Sequence, residues 1–190
     1  MSAPRSRVDL FAAPHRALRV RLFEVTTRVA VVEIASTAAV DAMVAQVEEA
    51  LAFLDEHAGI EDRLILPAVR AISPALARDL ASEHRGLDRL QLDVEGGADD
   101  LAAAPIGARC AAATELARRL DRLTRAHLAH MGREETEANP VLWGALADAE
   151  LVALRERAHA TLAPARQVAW AALLAAAATP AERVASPDPG

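Results

Sequence analysis

Several residue types are scarce in this sequence, and each scarcity excludes something. The chain has no tyrosine, aromatic residues make up 3% of its 190 residues, and alanine and leucine dominate its hydrophobic fraction of 53%. Because strands favour aromatic and β-branched side chains whereas alanine and leucine favour helices, the composition predicts an all-α fold. The single cysteine, Cys110, has no partner for an internal disulfide bond. We therefore expect a reducing, cytoplasmic location and a small buried thiol at this position.

Long apolar runs and an excess of positive charge are also absent. The longest apolar run, residues 168–178, covers about half of the roughly 20 residues that a membrane-spanning helix requires, and the amino-terminal segment lacks the pattern of a secretory signal. The formal net charge of −6 disfavours a surface that binds the phosphates of nucleic acids. We therefore expect neither a membrane partner nor a nucleic-acid partner.

The periodicity of the apolar residues indicates four long amphipathic helices joined by short loops. The first two helices carry the stripes Phe11, Leu18, Leu22, Val25, Val29 and Met43, Val47, Ala50, Leu54. Ser73 and Pro74 mark the start of the third helix, Gly96 and Gly97 mark its end, and a leucine stripe around Leu120 marks the fourth. The pattern predicts an up-down-up-down antiparallel four-helix bundle over residues 8–142.

Two shorter helices are predicted beyond the bundle, at about residues 147–162 and 165–178. They are expected to pack on the bundle as a carboxy-terminal extension over residues 143–178. The second of them is so rich in alanine that it could cover the bundle or form a homodimer with a second copy of the chain. Residues 179–190 have the proline and polar content of a disordered tail.

The most informative pattern is a histidine followed four residues later by a glutamate and ten residues later by a proline. It occurs twice, in the segments HAGIEDRLILP and HMGREETEANP, which begin at His57 and His130, so the offset is 73 residues. A second repeated segment precedes each copy, HRAL at His15 and HRGL at His84. We interpret the chain as a duplicated helical hairpin that places a histidine on the inner side of each long helix.

The polar residues of the repeat lie on the apolar faces of their helices. Helical steps along the second stripe lead to His57 and Glu61, and steps along the fourth lead to His130 and Glu134. A buried carboxylate without a partner costs several kcal/mol, a large part of the roughly 5–15 kcal/mol that stabilises a domain. Bound divalent cations would compensate this cost, and imidazole nitrogen and carboxylate oxygen suit iron and its neighbours. The residues therefore predict a dinuclear metal centre.

Other polar residues near the motifs carry weaker predictions. His127 lies one turn before the histidine of the second motif and could be a ligand or a neighbour that lines the pocket. Asp88, four residues after the histidine of the third helix, could supply an additional oxygen ligand. Asp62 and Glu135 directly follow the two motif glutamates and are expected to be solvated or to support the ligands from outside. His159 is expected on the surface of the fifth helix.

The segments at His57 and His130 resemble the two signature motifs of the hemerythrin-like, or HHE cation-binding, proteins, and the resemblance covers roughly residues 15–140. It implies a four-helix bundle with a non-haem di-iron centre that is bridged by two carboxylates and an oxo or hydroxo group. On the matching positions of this sequence, the resemblance implies bridging by Glu61 and Glu134, one iron held by His15 and His57, and the other held by His84 and His130.

One position departs from the oxygen-carrying members of that family. Those proteins have a second histidine one turn after the histidine of the third helix, where this chain has Asp88. Asp88, His127 or a water would therefore complete the coordination of one iron. An anionic or labile ligand favours the ferric state and opens a position for chemistry, which argues against simple reversible oxygen carriage.

Three functions are compatible with these residues. The resemblance favours a di-iron protein that binds dioxygen, nitric oxide or peroxide for sensing, storage or detoxification. The alternatives are a di-iron enzyme of the peroxidase, nitric oxide reductase or ferroxidase type, and a metal-stabilised helical interaction module. A ferritin-like site is excluded because only Glu156 and His159 have its Glu-x-x-His spacing, which such a site needs on two helices. The His-Glu-x-x-His motif of zinc proteases is absent from the sequence.

Overall fold

The computed structural model describes residues 7–185, and all the regular secondary structure in this range is helical. The helices are α1 (Ala12–Ala30), α2 (Thr37–Ile60), α3 (Leu66–Ile72), α4 (Pro74–Ala103), α5 (Ile106–Arg133), α6 (Asn139–Ala145), α7 (Asp148–Ala160), α8 (Pro164–Ala176) and α9 (Pro180–Ala185). Two π-helical segments, Glu61–Ile65 and Glu134–Ala138, join α2 to α3 and α5 to α6 without a break. The all-α class is confirmed, and none of the helices in the described range is long and apolar enough to cross a membrane.

Each π-helical segment begins at a glutamate of the repeated motif. The backbone N–H of Leu66 donates to the carbonyl of Glu61, and that of Asn139 donates to the carbonyl of Glu134, five residues back instead of four. The next residue in each case is a proline, which has no N–H and crowds the carbonyl four residues back. The wider π turn accommodates this proline, so the helix continues past it.

The interior contains two separate apolar clusters. The larger lies among α1, α2, α4 and α5, where α1 and α4 each pack against both α2 and α5 and so form a ring of four long helices. The smaller lies among α3, α4, α6 and α7 and includes Phe11, Leu80 and Leu142. All the predicted stripe residues of the first two helices are buried. Full burial of one such leucine contributes about 1.5–3 kcal/mol, so these stripes account for the association of the helices.

The sequence predicts that Gly96 and Gly97 end the third long helix, but α4 continues through both. A Cβ atom on Gly97 would lie 3.0 Å from Cδ of Arg119 and 3.3 Å from a methyl carbon of Leu116, both on α5. The missing side chain therefore lets α4 and α5 approach closely. Packing between the two helices overrides the weak helix propensity of glycine here.

The structure also differs from the predictions for Ser73 and Cys110. Ser73 stands at the start of α4 as predicted, but its side chain makes no capping hydrogen bond. Cys110 is exposed rather than buried, because the preceding residue, Arg109, occupies the inner face of this turn. The buried guanidinium of Arg109 donates to the backbone carbonyls of Ala104 and Ile34 and so ties together two connections between long helices.

The helix α8 packs on the ring of long helices, and α7 packs against the first π-helical segment and the smaller apolar cluster. Leu151 of α7 is buried in the smaller apolar cluster, and the ring of Trp170 on α8 lies edge-on against Phe53 with the centroids 5.0 Å apart. The indole N–H of Trp170 donates to Glu56, and Arg166 donates to both carboxylate oxygens of the same glutamate. Apolar and charged contacts together therefore hold α8 against α2.

Residues 180–185 form α9, although the sequence predicts that a disordered tail begins at residue 179. The hydroxyl of Thr179 accepts the backbone N–H of Glu182 at 3.3 Å, and the Glu182 carboxylate accepts the N–H of Thr179 at 2.7 Å. This reciprocal capping box follows from the Thr-x-x-Glu spacing at residues 179–182. Arg16 of α1 also pairs with Glu182 at 2.6 Å. The rest of the predicted tail, residues 186–190, lies outside the described residues.

Candidate metal centre

Six polar side chains meet in a buried layer between the two apolar clusters, and we call them the His/Glu cluster. They are His15 on α1, His57 on α2, His84 on α4, His130 on α5, and Glu61 and Glu134 at the starts of the two π-helical segments. None of the six is more than 8% exposed. Residues on one side of the layer pack into the larger apolar cluster and residues on the other side into the smaller one, so the layer crosses the protein at a single level.

The His/Glu cluster contains two overlapping groups that could each hold a metal ion. The first group is His15, His57, Glu61 and Glu134, and the second is His84, His130, Glu61 and Glu134. Within each group, the ligand atoms all lie within 4.8 Å of one another. The two groups therefore share both carboxylates and divide the four histidines into two pairs.

The two oxygens of Glu61 face different histidine pairs. Its Oε1 atom lies 3.1 Å from Nε2 of His57 and 3.6 Å from Nε2 of His15, whereas its Oε2 atom lies 3.5 Å from Nε2 of His84. Bonds of about 2.1 Å from a cation to nitrogen or oxygen place neighbouring ligand atoms about 3.0–3.4 Å apart. Most of these separations exceed the length of a good hydrogen bond but are close to the distances between neighbouring ligand atoms of one ion.

Glu134 repeats this arrangement with its own two oxygens. Its Oε2 atom lies 3.4 Å from Nε2 of His15, and its Oε1 atom lies 3.3 Å from Nε2 of His130 and 4.0 Å from Nε2 of His84. Each glutamate thus presents one oxygen to each histidine pair. This is the donor arrangement in which two carboxylates can bridge two cations.

The ligand atoms of the cluster lack hydrogen-bond partners among the described residues. This holds for Nε2 of all four histidines and for both oxygens of both glutamates. An unsatisfied buried polar atom costs about 1–3 kcal/mol, and a charged one costs more, so eight of them in one place are incompatible with a marginally stable fold unless something binds them. Imidazole nitrogens mixed with carboxylate oxygens suit iron and neighbouring transition metals, so the residues fit cations.

Carboxylates hold the outer ring nitrogens of three of the four histidines. The Nδ1–H of His15 donates to Glu135 at 2.9 Å, that of His84 to Asp62 at 2.8 Å, and that of His130 to Glu83 at 2.8 Å. Because an ionised carboxylate only accepts hydrogen bonds, the Nδ1 proton stays on the ring, and loss of the Nε2 proton would leave the Nε2 lone pair for a cation. Such partners fix the ring orientation and commonly change metal affinity by about 10–100-fold when they are removed.

Two of these supporting carboxylates are themselves held by arginines. Arg19 donates to both oxygens of Glu135, at 2.8 and 3.0 Å, and Arg133 donates to Glu83. Support of a ligand is one of the two roles that the sequence predicts for Glu135, whereas the role of Glu83 is not predicted. The repeat gives no signal for it, because Pro14 stands at the corresponding position of the first half.

Within residues 7–185, no carboxylate is hydrogen-bonded to Nδ1 of His57, and this ring has a different environment. Its ring lies beside the ring of Trp170, with centroids 6.4 Å apart. His57 and Glu61 also line a pocket of about 240 Å³ between the long helices and the carboxy-terminal extension. The first ligand group is therefore the one next to a cavity.

Two further residues predicted as ligands lie outside both groups. His127 is 3% exposed and its Nε2 atom has no hydrogen-bond partner in the described part of the chain. Asp88 is exposed and lines a surface groove with Glu48 and Asp55. Each four-residue step turns an α-helix by about 40°, so Asp88 is rotated by about 80° from the buried Leu80, twice as far as His84, and faces the groove between α2 and α4. The structure thus keeps His127 as a buried neighbour of the cluster and separates Asp88 from it.

Protons balance the charges of the His/Glu cluster when no metal is bound. Burial opposes ionisation of Glu61 and Glu134, but the surrounding histidines hold the pKa of both carboxyls below its usual range. Burial also opposes a charged imidazole, but the neighbouring carboxylates raise the pKa of His84 to about 9. They raise the pKa of His15 and His130 as well. Metal binding must therefore displace protons from these rings.

The metal-free protein is expected to be most stable near pH 6.5. His84, with its pKa raised from 6.5 to about 9, contributes stability that is complete below pH 6.5 and lost as the pH rises to 9. Burial and the charges of His130 and His57 lower the pKa of His127 to about 3, so its contribution is lost as the pH falls below 6.5. Urea unfolding of the metal-free protein at pH 5, 6.5 and 9 measures this. Metal-loaded protein is the control, and its stability should not fall between pH 6.5 and 9. If the metal-free protein became more stable over that interval, the charge assignment would be contradicted.

Comparison with known families identifies one match. The family model described as "Hemerythrin HHE cation binding domain" matches residues 6–142, which contain the whole His/Glu cluster and end before α7. No curated protein and no solved structure matches the chain. The resemblance inferred from the two motifs is confirmed, and because the match covers well over half of the sequence, the chain belongs to the hemerythrin HHE cation-binding family.

Proposed function

We propose that this chain is a di-iron protein that binds dioxygen or a related small ligand, such as nitric oxide or peroxide, for sensing, storage or detoxification. The observation that carries the proposal is the division of each glutamate's oxygens between two histidine pairs. One cation would leave one histidine pair and half of the carboxylate oxygens without partners. Two cations would engage all eight unpartnered ligand atoms.

Iron is the cation that this donor set favours. Each ligand group contains two histidines and two carboxylate oxygens, and combinations of two histidines with carboxylate are typical of non-haem iron, whereas structural zinc sites are closed, four-coordinate and often rich in cysteine. The nearest thiol is not a candidate, because Cys110 is exposed and lies outside the cluster. Bound iron would supply the electron-transfer chemistry that dioxygen, nitric oxide and peroxide undergo.

The protein's own residues define the environment of the bound molecule. The two apolar clusters lie on either side of the polar layer and shield it from water, except at the pocket beside His57 and Glu61. His127 is buried next to the ligands, and with its pKa lowered to about 3 it is neutral at pH 7. We assign its unpartnered Nε2 atom a hydrogen bond with the small ligand. We also take the ring of four long helices to run up-down-up-down, which the short connections between them support.

A second candidate function is an enzyme that reduces peroxide or nitric oxide, or oxidises ferrous iron, at the same centre. The pocket beside His57 and Glu61 favours it, because turnover requires exchange of substrate and product. The two candidates differ in how the reduced protein responds to its ligand. In reversible binding, the spectrum of the reduced, ligand-free protein returns when the ligand is removed. An enzyme instead consumes many equivalents of substrate.

Metal analysis of protein purified without added metal, with absorption spectra before and after dithionite, tests the proposal. We expect about two iron ions per chain, because two complete ligand groups are present. We also expect a charge-transfer spectrum that reduction bleaches and an added ligand restores. Less than one metal ion per chain, or zinc alone, would contradict the proposal. Irreversible oxidation in one exposure to air would exclude reversible binding, and peroxide turnover that His130→Ala abolishes would identify the enzyme.

A further inference from the structure

The pocket beside the His/Glu cluster is larger than a diatomic ligand needs. Its volume is about 240 Å³, whereas a water molecule occupies about 30 Å³ in the liquid, so the pocket has room for about eight non-hydrogen atoms. Most of its lining is apolar and includes Leu10, Phe11, Ile60, Leu162, Trp170 and Leu174. A cavity with these walls selects an organic molecule with an apolar body.

The outer wall of the pocket comes from the carboxy-terminal extension. Arg155, Ala158 and His159 lie on α7 and Trp170 lies on α8, all beyond residue 142, where the family match ends. The wall is firmly placed, because the Trp170 indole donates to Glu56 at 2.8 Å and its ring packs on the larger apolar cluster. The pocket therefore depends on the part of this chain that the family match does not include.

The exposed rim of the pocket offers a positive charge. Arg155 and His159 are both exposed, and the Arg155 side chain has no ion pair or hydrogen bond with another residue in the range 7–185. Asp9 is the acidic residue at the rim, but its Oδ1 atom accepts the backbone N–H groups of Phe11 and Ala12, at 2.9 Å each, at the start of α1. The free guanidinium is thus available to an anion from outside.

We propose that this pocket binds a small aliphatic carboxylate of about the size of hexanoate, which has eight non-hydrogen atoms. The carboxylate group lies at Arg155 and His159 on the rim. The aliphatic chain passes the Trp170 wall and ends beside His57 and Glu61. This assignment deepens the proposed function by naming an organic ligand of the same centre, and it rests on that function for the metal at the inner end of the pocket.

Calorimetric titration of hexanoate into the metal-loaded full-length chain tests the proposal. Because each buried methylene contributes about 0.8 kcal/mol and 1.4 kcal/mol is tenfold in affinity, binding is expected to tighten about four-fold for each carbon added from butanoate to hexanoate. Acetate serves as the probe for direct binding of a carboxylate to metal. Hexanol and hexylammonium test the need for a negative head group, and both should bind more weakly than hexanoate.

Two matched variants separate the pocket from the rest of the surface. Ala158→Phe fills the pocket and should abolish hexanoate binding, whereas Ala153→Phe makes the same change on the exposed, non-lining part of α7 and should preserve it. Arg155→Gln should weaken hexanoate binding about three- to five-fold, as expected for a partly exposed ion pair, and should not affect hexanol. All three variants should keep the metal content of the unmodified chain, which shows that they fold.

The outcomes distinguish this proposal from the proposed function. No hexanoate binding to protein that contains two iron ions would overturn the pocket assignment alone. Equal binding of acetate and hexanoate, or equal loss in Ala153→Phe and Ala158→Phe, would also overturn it. Binding that depends on chain length and on Ala158 in protein that takes up no iron would support the pocket and overturn the di-iron proposal.

Discussion

Replacing Glu61 with glutamine is expected to remove both metal ions from the protein. Its two oxygens belong to different ligand groups, so loss of the charge weakens both positions at once. Removing one partner of a buried charged set costs about 3–5 kcal/mol, which corresponds to roughly two to four orders of magnitude in affinity. His57→Asn changes only the first group and is expected to leave one ion. Metal analysis after dialysis against a weak chelator measures both results.

Asp88→Asn is the matched control for this experiment. It makes the same change from carboxylate to amide at a residue that the sequence suggests as a ligand but that the structure places in an exposed groove. Its metal content is expected to equal that of the unmodified chain. Loss of metal from Asp88→Asn, or retention of both ions by Glu61→Gln, would refute the ligand assignment.

Chelation of the metal is expected to lower the unfolding midpoint by about 15–30 °C. A ligand of the folded state stabilises it by about 4 kcal/mol per site at a thousand-fold excess over its Kd. For a chain of this length, 1 kcal/mol shifts the midpoint by about 2–4 °C, so two sites give a shift in this range. Circular dichroism during heating, with and without chelator, provides the measurement.

The double variant Glu61→Leu, Glu134→Leu tests the cause of that shift. It lacks both shared carboxylates, so it should bind no metal and show no response to the chelator. The charged histidines lose their carboxylate partners in this variant, so its midpoint at pH 6.5 should not exceed that of the metal-free unmodified chain. A fall in the midpoint of the variant on chelation would mean that the shift has a cause other than metal at the shared carboxylates.

The helical architecture and the six residues of the His/Glu cluster could be anticipated because both depend on local patterns. Apolar residues at helical spacing define the inner face of each long helix, and His57 and Glu61 continue the face of α2 without a change of phase. The repeat then implies that His130 and Glu134 do the same on α5. Equal positions on repeated helices lie at equal heights, which is why the residues meet in one layer.

The remaining features depend on contacts between elements that no local pattern records. Glu83 supports His130 from a different helix, and nothing in its own segment indicates that partner. Asp88 has helical spacing from His84 but is turned just far enough to face solvent. In the sequence, Gly97 suggests the end of a helix, and only the structure shows that Arg119 of α5 packs closely against it. Periodicity predicts the direction in which a helical side chain points only to within a few tens of degrees. Deciding whether that side chain can reach a metal requires a more accurate direction.

The prolines of the repeated motif control which residues face inward beyond the His/Glu cluster. Val69 and Leu142 follow the two glutamates by eight positions, which in a regular α-helix would rotate them by about 80° from the glutamates. The wide π turn absorbs one residue, so the rotation falls to about 20°, and both side chains are fully buried. If the prolines were lost and the turns tightened, the ends of both helices would rotate by roughly a quarter turn and withdraw these side chains from the smaller cluster. Through the π turns that they require, Pro67 and Pro140 thus determine the rotation about the helix axis of the side chains that follow the glutamates.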